Sequence, residues 1–199
     1  HCGGDSHLVQ TQLRHVQKIQ ASSGAFAALL VDGSVVTWGD PSRGGDSSKV
    51  KHLLKNVTQI QAGCAAFAAV REDGSVTAWG GSQYGGDSSE VQSQLTRVQR
   101  IQATRTAFAA ILETGGVVTW GDPHGGGDSS KVKDQLCGVK GIQASSYAFA
   151  AILSDGTAIT WGLPECGGDT RTWQQQTVAQ ASFQSPPKLV PTQCFPSSI

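Results

Sequence analysis

Apolar positions fall in short bursts, each with a period that predicts its structure. Residues 16–21 (VQKIQA) alternate enough for a strand, with Ile19 and Ala21 inward and Gln20 outward. Residues 25–30 (AFAALL) read as a second strand bounded by turn residues. Asp32-Gly33 predicts a two-residue type I′ hairpin, in which both central positions take positive φ. Residues 34–39 (SVVTWG) read as a third, inner strand ending on a packing Trp. Gly44-Gly45 then opens the backbone for a tight turn. Asp46-Ser47-Ser48 has the chemistry of a helix N-cap, and Val50, Leu54 and Val57 fall at i, i+4 and i+7, which predicts a short helical return segment.

The pattern recurs with a period of 41 residues. Ile-Gln-Ala starts at Ile19, Ile60, Ile101 and Ile142, and Trp38, Trp79, Trp120 and Trp161 keep the same step. Asp5, Asp46, Asp87, Asp128 and Asp169 each follow a Gly-Gly pair. A unit with two apolar faces cannot bury both alone, and stacking copies buries them. The expected fold is mainly β: a β-propeller-like array of about four to five blades, each with three antiparallel strands and a short helical return. The units run over about 6–46, 47–87, 88–128 and 129–169. Residues 170–199 read as a degenerate repeat and an irregular tail broken by Pro186, Pro187, Pro191 and Pro196.

The spacing of Ala21, Ala25, Ala28-Leu29, Asp32-Gly33, Val35 and Trp38-Gly39 resembles the regulator of chromosome condensation repeat, and the other copies keep the frame. The resemblance implies a β-propeller, usually of seven blades, that binds other proteins. Similar repeats occur in HECT-type ubiquitin ligases, and the founding member is a nucleotide exchange factor for a small GTPase. The copies depart from the pattern where the family's His is replaced by Ala25, Ala66, Ala107 and Ala148, and where the Asp of the hairpin is Thr114. A WD-type propeller fits less well, because each of these Trp residues is followed by Gly and no Gly-His pair occurs.

Composition narrows the chemistry. Fifteen basic and 15 acidic residues give zero formal net charge, which argues against nucleic acid or a membrane surface as a charge-driven partner. The longest apolar run, residues 25–31, is too short to span a bilayer. A start at His1 with no Met anywhere points to a piece of a longer or processed product. Five cysteines without a Cys-x-x-Cys pair read as reduced thiols in the cytoplasm or nucleus.

No catalytic constellation, cofactor motif or metal spacing stands out. The Gly-Gly-Asp-Ser-Ser stretch lacks the frame of a phosphate loop, so Asp46, Asp87 and Asp128 are assigned to turns and caps. The Trp residues are assigned to packing between blades. What varies between copies is two loops, at 22–24 and 40–43 and their equivalents. In an up-down-up blade both lie at one end of the strands, so one face carries Arg43, Tyr84, Arg105, His124, Tyr147 and Glu165. That face is the candidate binding site of a non-catalytic protein-interaction module. The alternatives are an exchange factor for a small GTPase and the substrate-recognition segment of a HECT-type ligase. The unbroken repeat frame leaves no room for an exchange factor's inserted wedge.

Overall fold

A computed structural model describes residues 3–169. The four copies form four three-stranded antiparallel sheets, each a meander. Blade one is β1 (Val16–Ala21), β2 (Ala25–Leu30) and β3 (Val35–Gly39). Blade two is β4 (Val57–Ala62), β5 (Ala66–Arg71) and β6 (Val76–Gly80). Blade three is β7 (Val98–Ala103), β8 (Ala107–Leu112) and β9 (Val117–Gly121). Blade four is β10 (Val139–Ala144), β11 (Ala148–Leu153) and β12 (Ala158–Gly162). The degenerate repeat and proline-rich tail expected over 170–199 lie outside the described residues.

Three local expectations are corrected. The hairpin is not type I′: Gly33 has φ +76°, but Asp32 is not left-handed. A three-residue loop is used instead, in which only its last residue needs positive φ. The Asp32 carboxylate accepts the Ser34 N–H at 2.9 Å and the Ser34 hydroxyl at 2.6 Å. Thr114 replaces Asp in the third copy and its hydroxyl accepts the Gly116 N–H at 3.4 Å, so the loop tolerates the change. The return segment is a 3₁₀ turn, as at Ser48–Leu53, and Ser47 caps nothing with its side chain. Asp46 accepts the Ser48 N–H at 2.8 Å, closing an Asx turn. Finally, the third strand is the outer one. The first strands β1, β4, β7 and β10 of successive blades converge, whereas β6, β9 and β12 lie against the 3₁₀ turns of the preceding connection.

Simple alternation also misses how the first strand buries two residues three apart. In β4, Val57 pairs with Arg71 and Gln59 with Val70, so Thr58 is an extra, bulged residue. The bulge resets the pleat and turns Val57 and Ile60 to the same face, where they are 4% and 1% exposed.

The blades stack through unlike faces. Blade one offers Ala25, Ala27, Leu29 and Val35, and blade two meets them with Leu54, Val57, Ile60, Phe67 and Trp79. The same division of small against large recurs at the next two seams. Phe67 and Trp79 are cross-strand partners, stacked with centroids 5.3 Å apart, a pairing worth about 0.5–1.5 kcal/mol beyond burial.

The first Gly of Gly-Gly-Asp lies on this pair. Gly44 has φ +92°, and a Cβ there would come 2.6 Å from the Phe67 ring. Its carbonyl accepts the Trp79 Nε1–H at 3.1 Å, and Gly85 with Trp120 and Gly126 with Trp161 repeat the bond at 3.0 Å. The second Gly is required by proximity, since a Cβ on Gly45 would lie 2.4 Å from the Gly39 carbonyl oxygen. At the hairpin end, Val57 N–H donates to Gly33 O at 2.9 Å, with Val98 to Gly74 and Val139 to Gly115 equivalent.

The seam glycines should therefore resist substitution. Gly85→Ala is expected to lower the unfolding free energy by about 2–4 kcal/mol, from the left-handed backbone and overlap with Phe108. Gly141→Ala, where a Cβ meets nothing within 4 Å, should change it by less than about 0.5 kcal/mol. Urea unfolding of both variants checks the difference.

Candidate protein-interaction face

The two variable loops of each blade lie side by side. In blade one Asp40 N–H donates to Gly24 O at 2.9 Å, and the bond recurs from Gly81 to Ala65, Asp122 to Thr106 and Leu163 to Tyr147. The first loop is held by a hydroxyl. Ser22 Oγ accepts the Ala25 N–H at 3.0 Å and donates to Arg43 O at 2.9 Å. Thr104 and Ser145 do the same, the latter reaching Cys166 O at 2.9 Å, while Gly63 has no hydroxyl to offer.

A backbone ladder joins these loops from blade to blade. Ser23 N–H donates to Cys64 O at 2.8 Å, Cys64 N–H to Arg105 O at 2.8 Å, and Arg105 N–H to Ser146 O at 2.9 Å. Main-chain atoms form every rung, with the Ser23 hydroxyl adding a bond to Cys64 O at 2.8 Å in the first, so the side chains at these positions vary without breaking the ladder.

The second loop is a 3₁₀ turn: Pro41–Arg43, Ser82–Tyr84, Pro123–Gly125 and Pro164–Cys166. Each ends on the left-handed glycine at 44, 85, 126 or 167. Asp40 opens the first turn by accepting the Ser42 N–H at 2.9 Å, and Asp122 accepts the His124 N–H at 3.1 Å. The variable turn thus stands directly on the glycine that forms the seam.

All six candidate residues occupy this face. Arg43 is exposed, pairs with Asp40 at 3.3 Å and donates to the Ser23 hydroxyl. Tyr84 is exposed beside Gly81. His124 is exposed, with Nδ1 3.6 Å from Asp122. Glu165 is exposed on the last turn. Only Arg105 and Tyr147 are brought into contact with each other: the guanidinium carbon lies 6.0 Å from the ring centroid, across the seam between blades three and four. That is a cation–π distance. Sequence reasoning missed the positioning carboxylates Asp40 and Asp122; the Asp-Pro that opens both turns is the signal that marks them.

Trp79, Trp120 and Trp161 are buried at seams, and Trp38 is half-buried on the first blade. Cys64, Cys137 and Cys166 are free thiols. Among the described residues, no three His, Cys, Asp or Glu side chains are placed to share a metal ion. No helix among them is long and apolar enough to cross a membrane.

No protein-family model matches the chain, and no curated protein matches it. Solved structures do resemble it. Yeast RCC1 (Prp20) in complex with Kap60 is 20% identical with a TM-score of 0.54, covering 74% of this chain and 42% of that one. Human WBSCR16 is 19% identical with a TM-score of 0.50, covering 74% and 47%. The ectodomain of the Physcomitrella patens receptor kinase CR4 is 18% identical with a TM-score of 0.52, covering 74% and 41%. The likeness is one of fold: an RCC1-like array of repeated blades. The chain spans less than half the length of each of these proteins.

Serine hydrogen bonds make stability depend on acid. Hydrogen bonds from the residue two positions on hold Asp32, Asp40, Asp46, Asp73, Asp87, Asp128 and Asp155 below the ordinary aspartate value of 3.8. The donor is Ser34 for Asp32, Ser48 for Asp46 and Thr157 for Asp155. A depressed carboxylate contributes stability above its unfolded pKa, and that contribution disappears as pH falls through the folded one. Unfolding free energy should hold level from neutral pH to about 5 and decline below about 4. The triple variant Asp46→Asn, Asp87→Asn, Asp128→Asn keeps the acceptor and removes the charge. Its acid decline should be shallower in chemical denaturation read by Trp fluorescence.

Proposed function

We propose that the chain is a non-catalytic protein-interaction module acting in the cytoplasm or nucleus, and that the face of variable loops is its binding surface. One observation carries the reading. The loop backbone is held by the same bonds in every blade, while exposed Arg and Tyr side chains change from copy to copy. Arg and Tyr are the residue types favoured at the centres of protein interfaces. Arg105 stacked over Tyr147 supplies a preorganised cationic and aromatic pair suited to an acidic or aromatic protein segment.

Small-GTPase recognition is the second reading. Prp20p from Saccharomyces cerevisiae, similar in fold, is described with binding properties towards Gsp1p and histones. Against it, the described repeats keep their 41-residue step without an inserted wedge. The role of a substrate-recognition segment in a HECT-type ubiquitin ligase stands behind both, since it depends on a catalytic domain beyond these repeats.

Two measurements test these readings. Quantitative capture with the immobilised chain should yield proteins whose binding falls about tenfold or more with Arg105→Ala or Tyr147→Ala and is unchanged with Asp155→Ala on the hairpin face. Equal retention by all variants would move the site elsewhere. A nucleotide-release assay on a Ran-type GTPase should show no acceleration; acceleration would promote the exchange-factor reading.

A further inference from the structure

Charge is divided unequally between strands and turns. None of the 15 acidic residues lies in a strand, whereas Lys18, Arg71, Arg100 and Lys140 do. Lys18, Arg100 and Lys140 sit on first strands, which converge on the inner side of the array. The same strands repeat a glutamine, at Gln20, Gln61, Gln102 and Gln143, that is half-buried or exposed in every copy. A chain of zero formal net charge therefore has an inner wall of cations and carboxamides.

Within this wall the position before the isoleucine is used differently from blade to blade. Gln59 Nε2–H donates to Ile101 O of the next blade at 3.0 Å. Arg100, its counterpart in blade three, lines a cavity of about 290 Å³ with Gln59, Gln102, Gly141 and Gln143. Arg100 is exposed and holds no hydrogen bond or ion pair among the described residues. Gly141 is the counterpart of Arg100 in blade four, and a Cβ there would meet nothing within 4 Å, so the absent side chain leaves the cavity open. Lys140 does not fill it, because its Nζ donates to Ser154 O at 3.2 Å. The floor is a strand edge. In β10 the hydrogen-bonded pairs are Ser145 with Ala148 and Gln143 with Ala150, so the N–H and C=O of Ile142 and Ala144 point away from β11. The walls come from blades two, three and four, all of them described, so the cavity does not depend on what adjoins the array.

We propose that this inner wall is a second binding site, separate from the loop face, and that it takes an acidic peptide segment with one carboxylate paired to Arg100. A guanidinium fork matches the two oxygens of a carboxylate, and the carboxamides beside it donate to the same group. The free N–H and C=O of the β10 edge match the main chain of an extended peptide. A phosphodiester strand offers no backbone N–H to that edge. Residues 170–199 contain Arg171 and Lys188 but no Asp or Glu, so they bring no acidic side chain to the site.

Fluorescence anisotropy on the full chain with labelled hexaglutamate tests this, with hexaglutamine and hexathymidylate for comparison. Hexaglutamate should bind, more weakly as salt is raised, and hexaglutamine should not. Arg100→Gln, at an exposed position, and Gly141→Leu, which fills the cavity, should each weaken binding about tenfold or more. Circular dichroism of Arg100→Gln should be unchanged. Arg100→Lys keeps the charge without the fork and should recover part of the loss. Arg105→Ala should leave hexaglutamate binding unchanged, which separates this site from the loop face. The amide resonances of Ile142 and Ala144 should shift during the titration. Failure of hexaglutamate to bind, equal binding of hexaglutamine, or binding that Arg100→Gln leaves unchanged overturns the proposal. Tighter, Arg100-dependent binding of hexathymidylate overturns it in favour of a nucleic-acid site.

Discussion

The structure depends on the contact between a backbone glycine and an aromatic pair. Gly44, Gly85 and Gly126 each lie flat on the Phe of the following blade and offer a carbonyl to its Trp. A three-stranded sheet of five- and six-residue strands has little stability alone. Here each sheet is sealed on one side by large residues and on the other by small ones, and the glycine fixes how closely the two approach. The hydrogen bonds across a seam contribute about 1 kcal/mol each, less than the burial of one Phe or Trp. Burial drives the stacking, and the bonds set its register.

The same contact explains why the loop face can vary. Each variable turn is anchored at its end by the seam glycine and along its side by bonds between main-chain groups. Packing therefore does not constrain the exposed side chains at positions 43, 84, 105, 124 and 165. Arg105 and Tyr147 show the result: residues of two blades meet because the ladder holds their loops side by side.

Much of this was legible in the chain, and the misses have particular causes. The period located every strand, because a repeated unit must repeat its burial. Assigning Trp38 and its equivalents to packing required only that a periodic aromatic serve the periodic scaffold. The bulge at Thr58 was not legible, since alternation is a local rule and the need to bury both Val57 and Ile60 comes from the neighbouring blade. The hairpin type was misjudged because Asp-Gly serves both two- and three-residue loops, and the flanking bonds choose. A coupled change between copies was also hidden. Thr37 meets the buried Ser47 at 2.9 Å, whereas Ala78 leaves the matching Ser88 to donate to Gln92 at 3.1 Å.

By itself, the sequence determined the repeat, the three strands in each copy, where the turns fall and which positions differ between copies. These follow from local pattern and from the chemistry of glycine, aspartate and alternating apolar residues. Tertiary structure decided which strand lies inside, since the first and third strands both carry apolar residues and packing between blades is what places the more polar first strands at the centre. It decided what Gly-Gly-Asp is for: a glycine's role depends on what approaches it, and Phe67 arrives from beyond the turn, in the next blade.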